Sequence, residues 1–273
     1  MIETRHLFPI LDAKLIEVLK SLDTNDWNKP TVAKLWTVKD IASHLLDGNL
    51  RALSISRDRY SIPPDRQIGD YSDLVQFLNQ LNADWVNATR RLSPAVLIDL
   101  LETTGQEHSA HIQTLDPEEN AIFSVAWAGE QTSKNWFHIA REYTEKWHHQ
   151  QQIRKATNRA GIMTKELFHP FISTLLLGLP HAYRYTKAAL GSVVQISVTS
   201  EIGGNWYLIQ NEQNWEISNE ATSTPVAALT INPEIAWQLF TKALKPEEIK
   251  DLVEIEGQND LAKTALTMIA VMA

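Results

Sequence analysis

Three residues of this chain have the types and spacing of a metal-binding set. Glu145 and His149 are four residues apart in a segment with helical periodicity. Side chains at i and i+4 of a helix lie about 5–6 Å apart on one face, so a carboxylate and an imidazole there can share one ion. A third ligand is available far upstream at His44, in the segment WTVKDIASHL (residues 36–45). Two histidines and one carboxylate form a catalytic zinc set that leaves a coordination position open, and they also suit nickel and other divalent first-row metals.

The same spacing has an alternative explanation that involves no function. On a helical projection, one side of this segment is polar, and the opposite side carries an apolar stripe. The polar residues are His138, Glu142, Glu145 and His149, and the apolar residues are Trp136, Ala140, Tyr143 and Trp147. A solvated face of a surface helix gives this pattern without binding anything. His44 flanks the predicted core of its own helix, where a histidine that donates to a backbone carbonyl is common.

Two residues near these candidates are assigned possible supporting roles. Arg141, one turn before Glu145, is the candidate catalytic residue because it can orient that carboxylate or meet an anionic substrate; a surface arginine paired with Glu145 is the alternative. Asp47, one turn after His44, is either a hydrogen-bond partner of the kind that metal-bound histidines need or an exposed helical aspartate.

Three further histidines are weighed in the same way. His138 lies about two turns before the Glu145–His149 pair and either lines a pocket or is solvated, with solvation the preferred interpretation. His108 and His111 fall in a segment that is predicted to be rich in loops, between about Thr103 and Gln131. We expect both to be surface residues.

Composition excludes several classes of function. The net charge of −8 argues against a nucleic-acid partner. No apolar run approaches the roughly 20 residues that cross a bilayer, and the N-terminus lacks a signal-peptide pattern, so we expect a cytoplasmic protein without a membrane partner. The chain has no cysteine, and any thiol chemistry would therefore need a small-molecule thiol. Whether the protein is a monomer or a dimer is left open.

The hydrophobic pattern predicts two domains, at residues 1–160 and 161–273. The first is predicted to be a four-helix bundle with one long crossing connection. Its four predicted helices are Leu11–Leu22, Thr37–Arg59, Ser72–Leu92 and Ser133–Ala156. Thr37 is the predicted N-cap of the second helix, with Asp40 at its third position. Pro94 is expected to open only a short additional helix.

The second half is predicted to be a small α+β domain. It is expected to begin with one helix, Thr164–Tyr185, which is followed by segments that alternate with period two. Asn232 and Pro233 are the expected N-cap and first residue of a helix that ends near Thr241. The predicted strands lie at residues 193–200, 206–210, 215–218, 226–231 and 252–255, and a last helix is predicted from Asp260 to Met272.

Residues 36–45 and the segment EKWHHQQQIR (residues 145–154) resemble the second-helix and fourth-helix motifs of the DinB-like superfamily, closest to the mycothiol-dependent maleylpyruvate isomerase branch. The resemblance implies that His44, Glu145 and His149 are the metal ligands and that His148 is not one. Residues 228–242 and 253–273 are similar to the second, sterol-carrier-like domain of that family. The two matching domains together cover nearly the whole chain.

The resemblance implies a function in broad terms. We expect a divalent metal, with zinc preferred over nickel or another first-row ion, and a low-molecular-weight thiol such as mycothiol. The expected activity is a thiol-dependent isomerase or S-transferase that acts on a small electrophile. A metal- or lipid-binding module without turnover, or a metal-dependent hydrolase, is the alternative. The substrate itself is not predicted.

Overall fold

The computed structural model describes residues 1–271. Its first part contains five long helices and its second part contains a sheet with shorter helices. The helices of the first part are α1 (Phe8–Lys20), α2 (Val38–Ala52), α3 (Tyr71–Thr89), α4 (Pro94–Thr114) and α5 (Asn135–Thr157). A π-helical turn, Leu53–Arg57, continues α2. The predicted fold class, a helical bundle followed by a small α+β domain, is confirmed.

The membership of the bundle differs from the prediction. Helix α4 packs against α1 and α2, and α2 also packs against α5, whereas α3 lies beside α2. The expected short helix at Pro94 and the loop predicted from about residue 103 are therefore wrong, because α4 continues to Thr114. Its buried positions include Leu97, Leu101, His108 and Ile112. Polar residues interrupt that stripe, which explains why hydrophobic periodicity alone missed it.

Local sequence signals fix the ends of the two helices that carry the metal-ligand candidates. Helix α2 begins with a capping box, in which the Thr37 backbone N–H donates to Asp40 Oδ2 at 2.9 Å and the Thr37 side chain accepts from the Asp40 backbone N–H. Helix α5 ends at Asn158, whose left-handed backbone (φ 55°) terminates the helix. The predicted cap of α2 is confirmed.

The second part of the chain is built around a five-stranded sheet with the order β3-β2-β1-β4-β5. Strands β1 and β4 are parallel, with Ile196 opposite Leu229, and the other pairs are antiparallel. The strands are β1 (Val193–Val198), β2 (Gly204–Gln210), β3 (Trp215–Ser218), β4 (Ala227–Ile231) and β5 (Val253–Gly257). All five predicted strands are present within one or two residues of their expected bounds.

Four helices accompany this sheet: α6 (Lys165–Leu176), α7 (Leu179–Ala182), α8 (Pro233–Phe240) and α9 (Asn259–Ala265). Asn232 caps α8 through its side-chain oxygen, as predicted. The prediction of a single helix from Thr164 to Tyr185 is wrong. The helix is interrupted near Gly178, and Pro180 lies at the start of the next helix, α7. The last predicted helix ends at Ala265 instead of Met272, which itself lies outside the described residues.

The apolar stripe of α5 joins the two parts of the chain. The Trp147 ring is fully buried, stacks on Phe171 of α6 with ring centroids 3.9 Å apart, and meets Trp237 of α8 edge-on at 6.3 Å. One of the two hydrophobic clusters in the described residues therefore runs from the bundle into the sheet, and the other lies within the bundle. The boundary predicted near residue 160 stays a prediction. No helix within residues 1–271 is both long enough and apolar enough to span a bilayer.

Candidate metal centre and the cavity beside it

The polar stripe of α5 faces the interior of the bundle. Because the apolar stripe packs against α6 and α8, the opposite side of α5 faces α2, and it lines a cavity together with residues of α2 and α4. His138 is only 9% exposed and His149 only 8%. The explanation of this stripe as a solvated surface face is therefore wrong, and so is the expected solvation of His138. Buried polar side chains need partners, and these partners define the site.

His44 and His149 meet between α2 and α5. Their ring centroids are 4.6 Å apart in an edge-on arrangement, and the Trp36 ring lies 4.8 Å from the His44 ring. Burial, together with the positive potential of His149, holds the pKa of His44 well below its usual value. His44 is therefore a neutral imidazole at neutral pH, which is the form that can coordinate a metal.

Glu145 Oε2 lies 3.6 Å from His149 Nε2. Burial raises the pKa of Glu145, but the hydrogen bond with His149 and the positive potential of His148, His149 and Arg141 outweigh it, so the pKa lies well below its usual value. Glu145 is consequently a carboxylate across the physiological range. It contributes the only oxygen ligand of the three predicted residues.

Gln152 fixes the orientation of the His149 ring. The Gln152 side-chain oxygen lies 2.9 Å from His149 Nδ1 and can only accept a hydrogen there. In a neutral ring, Nε2 then carries the lone pair, and it faces the Glu145 carboxylate. Two acceptors at this distance need a cation between them, either a proton or a metal ion. This tautomer, held by a partner on the far nitrogen, is the arrangement typical of metal-ligating histidines.

His148 is a fourth candidate that the sequence analysis had set aside. One ligand atom from each of Glu145, His148 and His149 can be chosen so that all three lie within 4.8 Å of one another. His148 Nδ1 donates to the Thr144 carbonyl at 2.9 Å, which leaves its Nε2 as an acceptor. The set of His44, Glu145 and His149 and the set that contains His148 therefore remain alternatives, and the ligand assignment stays a prediction.

Two observations favour His44 as the third ligand. Its Nδ1 is buried and has no hydrogen-bond partner among the described residues, a condition that destabilises the fold by roughly 1–3 kcal/mol unless a partner is supplied. His44, Glu145 and His149 also line one cavity, whereas His148 is not among the described residues that line it. The donor set of two imidazoles and one carboxylate fits zinc or a similar divalent ion.

The cavity has a volume of about 340 Å³, near the lower end of ligand pockets, which range from roughly 300 to 1,000 Å³. The three metal-ligand candidates are among its lining residues. Apolar side chains from α2, its π-helical turn, α3 and α4, and the loop before α5, form much of the remaining wall, including Leu45, Ile55, Leu74, Leu78, Ile112 and Phe123. The arrangement suits a small ligand that presents a polar group to the histidines.

Arg141 lines the cavity, but its partner is not the expected one. Its guanidinium donates to Glu142 Oε1 at 2.5 Å and to His138 Nδ1 at 3.1 Å. The alternative of a surface pair with Glu145 is therefore not what the structure contains. Burial raises the pKa of Glu142, but the charge of Arg141 outweighs this effect. The net pKa lies below its usual value, so the carboxylate stays ionised. A catalytic role for Arg141 remains a prediction.

The structure corrects three other expectations. His108 is buried, with 1% of its surface exposed, instead of lying on the surface. His111 is half-buried and bonds to Ser56 Oγ at 2.7 Å. Asp47 is buried rather than exposed, and it pairs with Arg51 at 2.9 Å. The signal that could have found His108 is its spacing of seven residues from Leu101 on one face of α4.

The sheet domain also contributes a residue near the site. Lys242, just after α8, has a left-handed backbone (φ 65°) that is unusual for a residue other than glycine. Partial burial lowers the pKa of its ammonium group, and the Glu145 carboxylate opposes that shift. A cation from the second part of the chain therefore lies within electrostatic range of the candidate metal ligands. Nothing in its local sequence distinguished it from other lysines.

Comparison with known proteins identifies a family and solved structures that share this fold. The model of the mycothiol maleylpyruvate isomerase N-terminal domain matches residues 8–154, more than half of the chain. The crystal structure of a histidine-to-alanine mutant of the mycothiol-dependent maleylpyruvate isomerase covers 94% of this chain and 93% of its own, at 10% identity and a TM-score of 0.57. Another crystal structure of that isomerase covers 88% of each chain, at 10% identity and a TM-score of 0.52. At this identity the structures show a shared fold. No curated protein sequence gives a match.

Proposed function

The chain belongs to the family of the mycothiol maleylpyruvate isomerase N-terminal domain, and we propose that it is a metal-dependent enzyme. It uses a low-molecular-weight thiol either to isomerise a small electrophile or to transfer the thiol to that electrophile. The proposed ligands are His44, Glu145 and His149, and the proposed ion is Zn²⁺, with Ni²⁺ or another divalent first-row ion able to bind the same set.

One observation carries the proposal. The Glu145 carboxylate and the Nε2 atom of His149 face each other at 3.6 Å in the wall of a cavity, with the His44 ring beside them. A divalent cation at this position would supply the positive field that deprotonates a thiol near neutral pH. Because the chain has no cysteine, that thiol is a separate small molecule.

The surrounding residues prepare this part of the cavity for such chemistry. Gln152 holds the His149 ring in one orientation, and the capping box of α2 fixes the turn that precedes His44. The Trp36 ring packs beside His44, and apolar side chains form much of the cavity wall. A low-dielectric environment strengthens the interaction of the histidines and of Glu145 with any charge that develops there.

The experiment that tests this function is a turnover assay with metal and thiol varied independently. The full chain is incubated with a small unsaturated ketone, with and without Zn²⁺, and with a panel of thiols that includes mycothiol and glutathione. We expect activity only when both a metal and a thiol are present. Glu145→Gln should abolish it, whereas the exposed control Glu17→Gln should not.

Two outcomes would contradict the proposal. Turnover that needs the metal but no thiol would indicate the hydrolase alternative. Stoichiometric metal with no turnover for any thiol in the panel would indicate the binding-module alternative.

A further inference from the structure

The charges around the cavity are already balanced within the chain. Three cationic side chains line the cavity in the described part of the molecule, and each has its own carboxylate partner. The pairs are Arg51 with Asp47 at 2.9 Å, Arg141 with Glu142 at 2.5 Å, and Lys146 with Asp12 at 2.7 Å. The carboxylates of Asp47 and Glu142 and both members of the Lys146–Asp12 pair are largely shielded from solvent.

This pairing disfavours an anionic ligand. A carboxylate that bound Arg141 would have to displace Glu142 or approach it closely, and either change would leave a second negative charge in a poorly hydrated space. The same holds for Lys146 and Asp12, since Ser109 also donates to Asp12 Oδ2 at 3.1 Å and fixes that partner. The cavity therefore has no uncompensated cation among its described lining residues.

Several polar atoms of the cavity lining lack hydrogen-bond partners among the described residues, including His44 Nδ1 and Asn49 Oδ1. Two other lining residues, His108 and Arg141, offer buried N–H groups that suit an uncharged acceptor. Both ring nitrogens of His108 and the Nε atom of Arg141 are buried without a hydrogen-bond partner among the described residues. Both residues line the cavity. Burial, followed by the charge of Lys146, lowers the pKa of His108 to about 4, so the ring is neutral at neutral pH. One N–H from either residue can donate to a carbonyl oxygen.

We infer that the electrophile taken by this cavity is an uncharged, predominantly apolar molecule with one carbonyl group, and that the carbonyl is hydrogen-bonded by His108 or Arg141. This inference rests on the proposed function for the role of the molecule as the electrophile. An uncharged electrophile is consistent with the charge of the proposed metal site, because the negative charges of Glu145 and of a thiolate together balance a divalent cation. The apolar wall formed by α2, α3 and α4 then contacts the rest of the molecule.

A matched pair of probes tests the inference by binding alone. Benzylideneacetone and trans-cinnamate have the same shape and differ in that a methyl group replaces a carboxylate oxygen. Equilibrium dialysis against the full chain, without thiol, gives the dissociation constant of each. We expect benzylideneacetone to bind at least about tenfold more tightly, and we expect the same preference after treatment with a chelator.

Two substitutions locate the preference in the cavity. Glu142→Gln frees the Arg141 guanidinium, so trans-cinnamate should bind about fivefold more tightly while benzylideneacetone is unchanged. This is a gain of binding that an unfolded variant cannot show. His108→Leu should weaken benzylideneacetone about fivefold, as expected for one lost hydrogen bond. Glu107→Gln, an exposed position on the same helix as His108, should alter neither probe.

Three results would overturn the inference: trans-cinnamate binding as tightly as the ketone or more tightly, binding of neither probe, or no gain for trans-cinnamate in Glu142→Gln. The proposed function fails separately, because absence of metal or of thiol-dependent turnover leaves the probe preference unchanged.

Discussion

The rings of His44 on α2 and His149 on α5 lie edge-on with their centroids 4.6 Å apart, and this contact brings a carboxylate–histidine pair to a third potential ligand. Each residue has an ordinary structural explanation when it is considered alone. Together they line one cavity whose wall also includes many apolar side chains.

Gln152 is predicted to tune metal affinity without touching the ion. Gln152→Leu removes the acceptor for His149 Nδ1 and should weaken Zn²⁺ binding about 10- to 100-fold. Gln152→Glu keeps an acceptor at that position and should restore most of the affinity. Competition with a chromophoric chelator measures both constants. Equal loss in the two variants would show that Gln152 acts through packing and not through the ring nitrogen.

The Lys146–Asp12 pair is predicted to stabilise the bundle strongly. Both side chains are largely buried, so Asp12→Asn leaves a buried ammonium group without its counter-charge and should lower the free energy of unfolding by about 3 kcal/mol. The exposed Lys14–Glu17 pair on the same helix is the matched control, and Glu17→Gln should change stability by less than about 1 kcal/mol. Urea denaturation measures both. Similar small effects at the two sites would contradict the assignment.

Stability is predicted to fall in mild acid because burial lowers the pKa of several histidines, including His108 and His138. Burial lowers the pKa of His108 and of His138 to about 4, whereas an unfolded histidine titrates near 6.5. Between these values the unfolded chain binds protons that the folded chain does not, so the free energy of unfolding decreases as the pH falls from about 6.5 to about 4. Each site contributes on the order of 3 kcal/mol.

Replacement of one of these histidines tests the source of that dependence. His108→Leu removes one titrating group, and the slope of unfolding free energy against pH should become shallower across this window. Chemical denaturation at a series of pH values measures the slope. An unchanged slope would mean that the acid sensitivity arises elsewhere.

The contact between Trp147 and Trp237 is predicted to couple the two parts of the chain. Trp237→Ala opens a cavity beside α5 and α6 and should lower stability by roughly 3–5 kcal/mol. Because one hydrophobic cluster contains residues of both parts, we expect one cooperative unfolding transition for the parent chain. Two resolved transitions would instead support independent domains at residues 1–160 and 161–273.

Local sequence signals were sufficient to predict the elements that have clear capping residues or a regular alternation of apolar and polar residues. The capping box at Thr37, the Asn232–Pro233 start of α8, and the alternation in β1 to β5 all appear where the sequence predicts them. Helix α4 was predicted wrongly because Thr104, His108 and Ser109 occupy buried positions that a hydrophobic pattern counts as polar. Tertiary packing, which the pattern does not contain, determines that they are inside.

The candidate site was predictable in part for the same reason. Helical spacing placed Glu145 beside His149, His44 was available upstream as a third ligand, and the family resemblance implied the same three residues. Neither source could indicate that Arg141 pairs with Glu142, that His148 approaches Glu145 and His149, or that Lys242 lies within electrostatic range of Glu145. These relationships depend on the orientation of α5 about its own axis relative to α6 and α8. The large buried aromatic side chains of α5 determine that orientation.

Metal content is the most direct test of the central claim. Plasma mass spectrometry of the full chain after equilibration with Zn²⁺ and gel filtration should give about one ion per chain. His44→Ala, Glu145→Gln and His149→Ala should each lose it, and His148→Ala should retain it. Absence of stoichiometric Zn²⁺ in the parent chain, or loss in His148→Ala with retention in His44→Ala, would contradict the assignment of His44, Glu145 and His149 as the ligands.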